Sequence, residues 1–168
     1  MVRMILCCDY EGNIGRNNDL LFKIKEDMQF FKSQTTGHVV IMGYNTWLSL
    51  GEKPLPNRTN IVLYDEDIEG VIVSNDIKKV IEEYKDEDIY IIGGAFVYNQ
   101  ALEMDIVDEI LITVVSTIVK DADTKVNLEL MKEFYDEIII KSFMSKEGFD
   151  VFIERRRKIN WEQDNEVE

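Results

Sequence analysis

The alternation of two periodicities along the chain constrains its fold more than any other feature. Short apolar runs rich in β-branched residues predict strands at residues 1–8, 39–42, 60–64, 71–73, 89–92 and 109–115. Helical patterns between them predict helices at residues 22–32, 45–50, 77–84 and 96–103. Two further strands, at residues 135–141 and 149–155, follow one another as antiparallel strands do. We therefore predict an α/β protein: a three-layer domain with a mostly parallel central sheet of about eight strands, an antiparallel C-terminal strand and helices on both faces.

Length and composition fit one globular domain. The chain has 168 residues, of which 45% are hydrophobic, and a chain of this size buries roughly 70% of its unfolded surface. We assign residues 1–158 to a single domain and residues 159–168 to an acidic C-terminal tail that we expect to be flexible. No long apolar stripe remains once the core is assigned, so we expect a monomer.

Charge and cysteine usage argue against several classes of function. The formal net charge is −14 and the pI is about 4.5, which disfavours nucleic acid as a partner because its phosphates require basic residues. No apolar run approaches the ~18–20 residues of a membrane helix, and we see no signal peptide. The adjacent Cys7 and Cys8 point to opposite faces of a strand and suit a reducing compartment, so we expect a cytoplasmic protein with no disulfide between them. One histidine and no CxxC pair predict no metal site.

Asp27 interrupts the apolar stripe of the first predicted helix. Ile24, Met28 and Phe31 fall at i, i+4 and i+7, and Asp27 takes the i+3 position on the same face. Burying an ionised carboxylate costs several kcal/mol unless it is paired, and an unpaired one shifts its pKa upward instead. Asp27 is therefore either a helix-start residue close to solvent or a functional carboxylate. The neighbouring motifs favour a function.

Two strand–glycine–helix junctions indicate a nucleotide site. They lie at residues 40–47 and 90–98, with Gly43 at the first junction and Gly93-Gly94 at the second. Each junction places a helix start at the carboxyl end of a buried strand, where free N–H groups favour phosphate and glycine lets a ligand approach the backbone. Two such junctions could hold the two ends of a dinucleotide, although neither is a GxGxxG or P-loop motif.

Together with Asp27, these motifs resemble the dihydrofolate reductase family. In chain order the series is Asn13-Ile14-Gly15-Arg16-Asn17-Asn18, Asp27-Met28-x-x-Phe31, Ile41-Met42-Gly43-x-x-Thr46-Trp47, Pro54-Leu55-Pro56-x-Arg58-x-Asn60, Ile91-Ile92-Gly93-Gly94 and Thr113. The resemblance runs from residue 1 to residue 157. It implies a dihydrofolate-reductase-like fold and an NADPH-dependent oxidoreductase of tetrahydrofolate biosynthesis and one-carbon metabolism. Such an enzyme reduces 7,8-dihydrofolate to 5,6,7,8-tetrahydrofolate by hydride transfer and binds antifolate-like small molecules.

The resemblance also implies the substrate site and the catalytic residues. Asp27 would accept hydrogen bonds from the pterin 2-amino group and ring N3–H, with a raised pKa, and would assist protonation of N5 through water. Thr113 would orient Asp27, and Phe22 is the third residue implied at the catalytic centre. Arg58 would clamp the glutamate α-carboxylate of folate. The full set of substrate-binding residues is Ile5, Asp27, Met28, Phe31, Leu50, Leu55, Arg58, Ile92 and Thr113.

The cofactor-binding residues that the resemblance implies surround the two junctions and the loop after the first strand. The loop at residues 13–22 would close over the nicotinamide and the pterin, and Asp123 would brace it. Thr46 would hold phosphate, and Gly93-Gly94 would meet the cofactor through a cis peptide bond. The full set is Cys7, Ile14, Gly15, Asn18, Leu20, Gly43, Tyr44, Asn45, Thr46, Leu63, Tyr64, Asp65, Ile92, Gly93, Gly94, Ala95, Phe96, Val97 and Tyr98.

The chain departs from the family pattern at two places. Leu21-Phe22 stands where the family has Pro-Trp, and phenylalanine has no N–H with which to hold a water molecule, which puts turnover rather than fold in question. Tyr44 and Phe96 stand where the family commonly has arginines that bind the 2′-phosphate, and Asp65 would repel phosphate. We still expect NADPH as the cofactor, with NADH also accepted at a kcat/KM less than about a hundredfold lower. Tyr44 would then stack on adenine.

Two other functions stay open at this point. An aminopyrimidine reductase of flavin biosynthesis would share the sheet and the cofactor site, but it would not need Asp27, Phe31 and Arg58 together. A non-catalytic folate- or nucleotide-binding module would explain the missing indole and the missing arginines. The presence of Asp27 argues against that second alternative.

Overall fold

A central sheet organises the molecule, whose computed structural model describes residues 1–158 apart from the side chain of Asp136. The strands, in chain order, are β1 (Val2–Asp9), β2 (Asn13–Arg16), β3 (Asp19–Leu20), β4 (Val39–Gly43), β5 (Thr59–Leu63), β6 (Ile72–Ser74), β7 (Ile89–Gly93), β8 (Glu109–Val115), β9 (Thr124–Lys125), β10 (Asp136–Met144) and β11 (Asp150–Arg157). The central sheet is eight-stranded, in the spatial order β10-β11-β8-β1-β7-β4-β5-β6.

The strand directions confirm the predicted fold class. β1 pairs in parallel with β7 and β8, and β4 pairs in parallel with β5 and β7. β11 pairs antiparallel with both β8 and β10. The parallel part follows from the crossover connections between its strands, and the antiparallel part from the short connection between β10 and β11.

Helices cover both faces of the sheet because successive strand residues alternate between two apolar sets. Met4 and Ile5, neighbours in β1, belong to different core clusters. The helices are α1 (Lys25–Thr35), α2 (Tyr44–Ser49), α3 (Ile77–Glu83) and α4 (Ala95–Glu103), with a 3-10 helix at Leu128–Met131. α1 and α2 contribute Phe31 and Trp47 to the cluster of Ile5, whereas α3 and α4 pack into the cluster of Met4. Within residues 1–158 no helix is long and apolar enough to cross a membrane.

A second, three-stranded sheet lies where a polar loop was predicted. β2 lies between β3 and β9, and the amide of Val126 donates to the Gly12 carbonyl at 2.9 Å. Gly12 has a φ of +84°, and a Cβ there would lie 2.5 Å from the Val126 carbonyl oxygen, so this approach requires glycine. The short, polar strands of this sheet carry no apolar pattern of their own, because they are specified by pairing between distant segments.

The first helix differs from its prediction in two respects. It begins at Lys25, with Ile24 as its N-cap, and it extends to Thr35. Ile24 is buried and Phe31 half-buried, but Met28 is 57% exposed. The interpretation of these residues as one buried stripe is therefore wrong at Met28, because its side chain faces solvent instead of packing on the sheet. The tail at residues 159–168 lies outside the described residues.

Candidate active site

A cleft opens at the carboxyl ends of the central parallel strands. Its cavity of about 530 Å³ is bordered by Cys7 of β1, Gly43 of β4, Leu63 of β5 and Gly93 of β7. The helices α2 and α4 begin at its edge. This size and this position are typical of small-ligand sites in open α/β sheets.

Asp27 lies in the first turn of α1 and reaches the sheet through Thr113. The hydroxyl of Thr113 donates to Oδ1 of Asp27 at 2.5 Å. Thr113 of β8 is paired in register with Cys7 of β1, so both side chains project from the face that α1 covers. The two interpretations left open by the sequence therefore both hold in part: Asp27 is a residue of the helix start, and it is half-buried against the sheet.

The electrostatic environment of Asp27 favours its protonated form. Desolvation by burial raises the pKa of its carboxyl group, and hydrogen bonds from Thr113 and Cys7 lower it by less. Burial also raises the pKa of the Cys7 thiol. Asp27 thus holds its proton more tightly than an exposed aspartate does, beside Cys7 at the edge of the cavity.

Apolar side chains predicted for the substrate site pack into one cluster beside Asp27. The cluster brings together Ile5, Phe31, Leu50, Leu55 and Ile92. It joins α1, α2, the Pro-Leu-Pro turn and two strands, so it forms an apolar wall assembled from distant segments. Phe22 packs separately, with Cys7, against the cluster that contains Ile24.

Arg58 is held in place by its own motif and by Thr35, which the sequence patterns did not single out. Its Nε donates to the Pro56 carbonyl at 2.9 Å, and its Nη1 donates to the Thr35 hydroxyl at 3.1 Å. The side chain of Asn60 accepts from the Leu55 amide and donates to the Leu55 carbonyl, both at 2.9 Å. Asn60 therefore closes the turn, and Thr35 at the end of α1 orients the guanidinium.

The residues predicted to bind a cofactor line the cavity with the exception of Tyr64 and Asp65. Gly93-Gly94 is a cis peptide bond. A Cβ at Gly43 would lie 2.9 Å from Cγ2 of Val97, so only glycine lets the start of α4 pack against the end of β4. The hydroxyl of Tyr98 donates to the Ile5 carbonyl at 2.7 Å and so joins α4 to β1 beneath the cleft. This backbone cradle fits a dinucleotide laid across the two helix starts.

Comparisons with known proteins agree with this geometry. Residues 1–155 match the model of the family described as dihydrofolate reductase. The chain belongs to the dihydrofolate reductase family. It is 35% identical to the dihydrofolate reductase of Ureaplasma parvum over 87% of this chain and 98% of that protein. It is 38% identical to the dihydrofolate reductase of Bacillus subtilis over 59% of this chain and 61% of that protein.

The fold is also shared with a solved structure of the family. Dihydrofolate reductase from Enterococcus faecalis, in complex with NADP(H) and RAB-propyl, superposes with a TM-score of 0.81. The match covers 95% of this chain and 97% of that one at 23% sequence identity. Membership of the family excludes the aminopyrimidine reductase that the sequence left open.

Asp123, which precedes β9, is hydrogen-bonded to β2 and to the turn that follows β2. Oδ2 of Asp123 accepts from the Asn17 amide at 2.8 Å, and the Asp123 amide donates to the Gly15 carbonyl at 3.0 Å. The hydrogen bond from the Asn17 amide, followed by the one from the Thr124 hydroxyl, lowers the pKa of the Asp123 carboxyl. The structure thus places Asp123 against the loop that it was predicted to brace.

Several cavity residues escaped prediction: Leu6, Asp19, Ser49, Gln100 and Thr124. Helical spacing could have found two of them, because Ser49 lies three residues after Thr46, and Gln100 lies four residues after Phe96. Thr124 gives no sequence signal, since it reaches the cleft through the pairing of β9 with β2.

Proposed function

We propose that this protein reduces 7,8-dihydrofolate to 5,6,7,8-tetrahydrofolate with NADPH, and that Asp27 is the residue that positions the pterin. Membership of the dihydrofolate reductase family establishes the class, an NADPH-dependent oxidoreductase. The observation that carries the assignment of Asp27 is its hydrogen bond from Thr113 in a half-buried setting that raises its pKa.

Asp27 acts on the pterin through its carboxylate oxygens. Thr113 donates to one of these oxygens and so fixes the orientation of the carboxylate. In that orientation it accepts hydrogen bonds from the 2-amino group and from N3–H of the pterin ring. The raised pKa of Asp27 makes this carboxyl group a better proton relay than an exposed aspartate, and it assists the delivery of a proton to N5 through water.

The remaining substrate contacts come from the apolar wall and from Arg58. Ile5, Phe31, Leu50, Leu55 and Ile92 pack around the pterin and benzoyl rings, and the exposed Met28 becomes covered when the substrate binds. Arg58, already oriented by Pro56 and Thr35, pairs with the glutamate α-carboxylate in a bidentate arrangement. The same surface accommodates antifolate-like molecules.

The cofactor residues act as a cradle and as a lid. When bound, NADPH supplies the hydride. The backbone at Gly43 and at Gly93-Gly94 admits it, Thr46 holds phosphate, and the loop around Ile14, Gly15, Asn18 and Leu20 closes over the cleft and excludes water. Asp123 keeps this loop attached to the second sheet.

We assign the protein to the cytoplasm as a monomer. Free Cys7 and Cys8 suit a reducing compartment, and the strongly negative net charge disfavours self-association. Size-exclusion chromatography with light scattering tests the monomer, and a dimeric mass would contradict it.

The test of the proposed function is the loss of absorbance at 340 nm with purified protein, 7,8-dihydrofolate and NADPH. We expect turnover that falls at least about a hundredfold at neutral pH in Asp27→Asn. The matched control is Asp86→Asn, which removes an exposed carboxylate outside the cleft and leaves the rate unchanged. Full activity in Asp27→Asn would contradict the role of this residue.

One observation favours a second candidate, a binding module without catalysis. Phe22, which cannot donate a hydrogen bond, packs beside Cys7 next to the cleft. Binding of dihydrofolate and NADPH by a folded protein that shows no turnover would establish this candidate and overturn the reductase.

A further inference from the structure

We propose that the adenosine end of the cofactor site is an aromatic clamp formed by Tyr44, Tyr64 and Phe96. This clamp holds the adenine ring and gives the 2′-phosphate no cationic partner, so the enzyme uses NADH and NADPH with similar efficiency. The inference rests on the proposed function, whose hydride donor it specifies.

Two of the three rings are fixed by the register of the sheet. Gly43 of β4 is paired with Leu63 of β5, and each is followed by a tyrosine. The rings of Tyr44 and Tyr64 are consequently stacked, with centroids 4.1 Å apart and planes 9° apart. Tyr44 lines the cavity and Tyr64 does not, so Tyr64 supports the ring of Tyr44 from behind.

The third ring borders the same cavity from the neighbouring strand end. Phe96 is the second residue of α4, and its side chain is 79% exposed. Its helix begins next to Gly43, because Met42 of β4 is paired with Gly93 of β7. The exposed ring of Phe96 at the edge of the cavity is therefore available to stack on a bound base. A flat base held between Tyr44 and Phe96 would cover one face of each ring and so remove apolar surface from water.

The charges around this clamp oppose a phosphate. Among residues 1–158, no lysine, arginine or histidine lines the cavity. Tyr64 is followed by the exposed Asp65, Glu66 and Asp67. The pKa of Tyr64 is raised, by desolvation first and then by the charge of Glu66, which indicates a negative potential at this edge. A 2′-phosphate therefore binds here no more favourably than a free 2′-hydroxyl does.

The first experiment measures binding alone, by calorimetry of the protein with 5′-AMP and with adenosine 2′,5′-bisphosphate. We expect the two nucleotides to bind with dissociation constants within about a factor of three, because the adenine supplies the affinity. Binding of the bisphosphate more than about tenfold tighter than 5′-AMP would overturn the clamp, since a tenfold ratio requires a partner for the 2′-phosphate.

Variants separate the contribution of the rings from that of charge. We expect Phe96→Ala and Tyr44→Ala each to lower the affinity for both nucleotides by the same factor, at least about fivefold. Tyr44→Arg introduces a guanidinium and shifts the preference toward the bisphosphate by about tenfold or more. Tyr135→Ala, which removes an exposed aromatic ring outside the cleft, is the matched control and leaves both affinities unchanged. If Phe96→Ala lowered the affinity for the bisphosphate but not for 5′-AMP, the proposal would be contradicted.

Turnover then connects the clamp to the enzyme. We expect kcat/KM values for NADH and NADPH, measured with saturating 7,8-dihydrofolate, to agree within about tenfold, and a larger ratio in favour of NADPH would overturn the proposal. Failure of the proposed function has a different signature, because a protein without reductase activity shows no turnover with either cofactor while the nucleotide affinities still report on the clamp.

Discussion

Two carboxylates close to the first strand, Asp9 and Asp27, are withdrawn from water with opposite results. Asp9 is 1% exposed, and its pKa is nevertheless lowered. Asp27 is only half-buried, and its pKa is raised. Because desolvation raises the pKa of both carboxyl groups, the opposite net directions also reflect a property of the two environments that offsets desolvation.

That property is the supply of N–H donors. Asp9 accepts from the amides of Glu11, Asn13 and Val119 and from the side-chain amide of Asn13, at 2.8–3.0 Å. Although desolvation raises the pKa of Asp9, these donors together lower it by more. Among residues 1–158, the donors to Asp27 are the hydroxyl of Thr113 and the thiol of Cys7 alone. A carboxylate whose oxygens already accept several hydrogen bonds, as in Asp9, holds a loop in place. A carboxylate with few donors, as in Asp27, can still accept hydrogen bonds from a ligand.

We expect the largest change in stability when Asp9, as a structural carboxylate, is replaced. Asp9→Ala leaves several buried amides without an acceptor, and each costs about 1–3 kcal/mol, so we expect the free energy of unfolding to fall by about 3 kcal/mol or more. Urea denaturation followed by circular dichroism measures this change. Asp67→Ala, at an exposed site, is the control. A loss below about 1 kcal/mol would show that water replaces the carboxylate.

Replacing Thr113 tests how its hydroxyl group affects the pKa and the orientation of Asp27. Thr113→Val removes the hydroxyl donor that favours the ionised carboxylate, so the apparent pKa of Asp27 in the pH profile of kcat/KM should move upward. We expect kcat/KM at neutral pH to fall by about tenfold because the carboxylate loses its fixed orientation. Thr113→Ser keeps the hydroxyl and should keep the pKa. An unchanged profile in Thr113→Val would remove Thr113 from the mechanism.

The pH dependence of stability should differ in sign between the two sites. The Asp27 carboxyl binds its proton more tightly in the folded chain than in the unfolded one, so its contribution to stability is present below the unfolded pKa and is lost as the pH rises through the folded pKa. The contribution of Asp9 is present above the unfolded pKa and is lost as the pH falls through its lowered folded pKa. We therefore expect Asp27→Asn to raise Tm at pH 7 and Asp9→Asn to lower it. Calorimetric scans at several pH values measure both, and a lower Tm for Asp27→Asn would contradict the comparison.

The smallest effect is expected at Asp123, an exposed carboxylate that accepts a single backbone amide across the loop. Asp123→Asn keeps the side-chain shape but weakens the hydrogen bond from the Asn17 amide, which loses its charge assistance. We expect kcat to fall by about threefold, with stability unchanged, because the loop closes less firmly. Stopped-flow measurement of cofactor binding tests this, and identical closing and release rates would exclude Asp123 from lid control.

Local sequence patterns were sufficient to predict the layers of the fold and the approximate place of the cleft. Hydrophobic periodicity is a local property, so β1, β4, β7 and β8 and the helices between them could be predicted to within a few residues. The glycines at the two junctions marked the strand ends where a backbone meets a ligand. Asp27 stood out because a charge on an apolar stripe violates the local pattern.

The contacts that these residues make could not be predicted from local patterns and are seen only in the three-dimensional structure. Thr113 of β8 donates to Asp27 of α1, and Thr35 at the end of α1 supports Arg58 from a separate segment. β2 and β9, the donors around Asp9 and the stack of Tyr44 on Tyr64 likewise depend on pairing between residues far apart in the chain. Periodicity tells which face of an element is buried, but not what it is buried against. The acid–base and binding properties of a side chain depend on those contacts, and they exist only once the sheet has set its register.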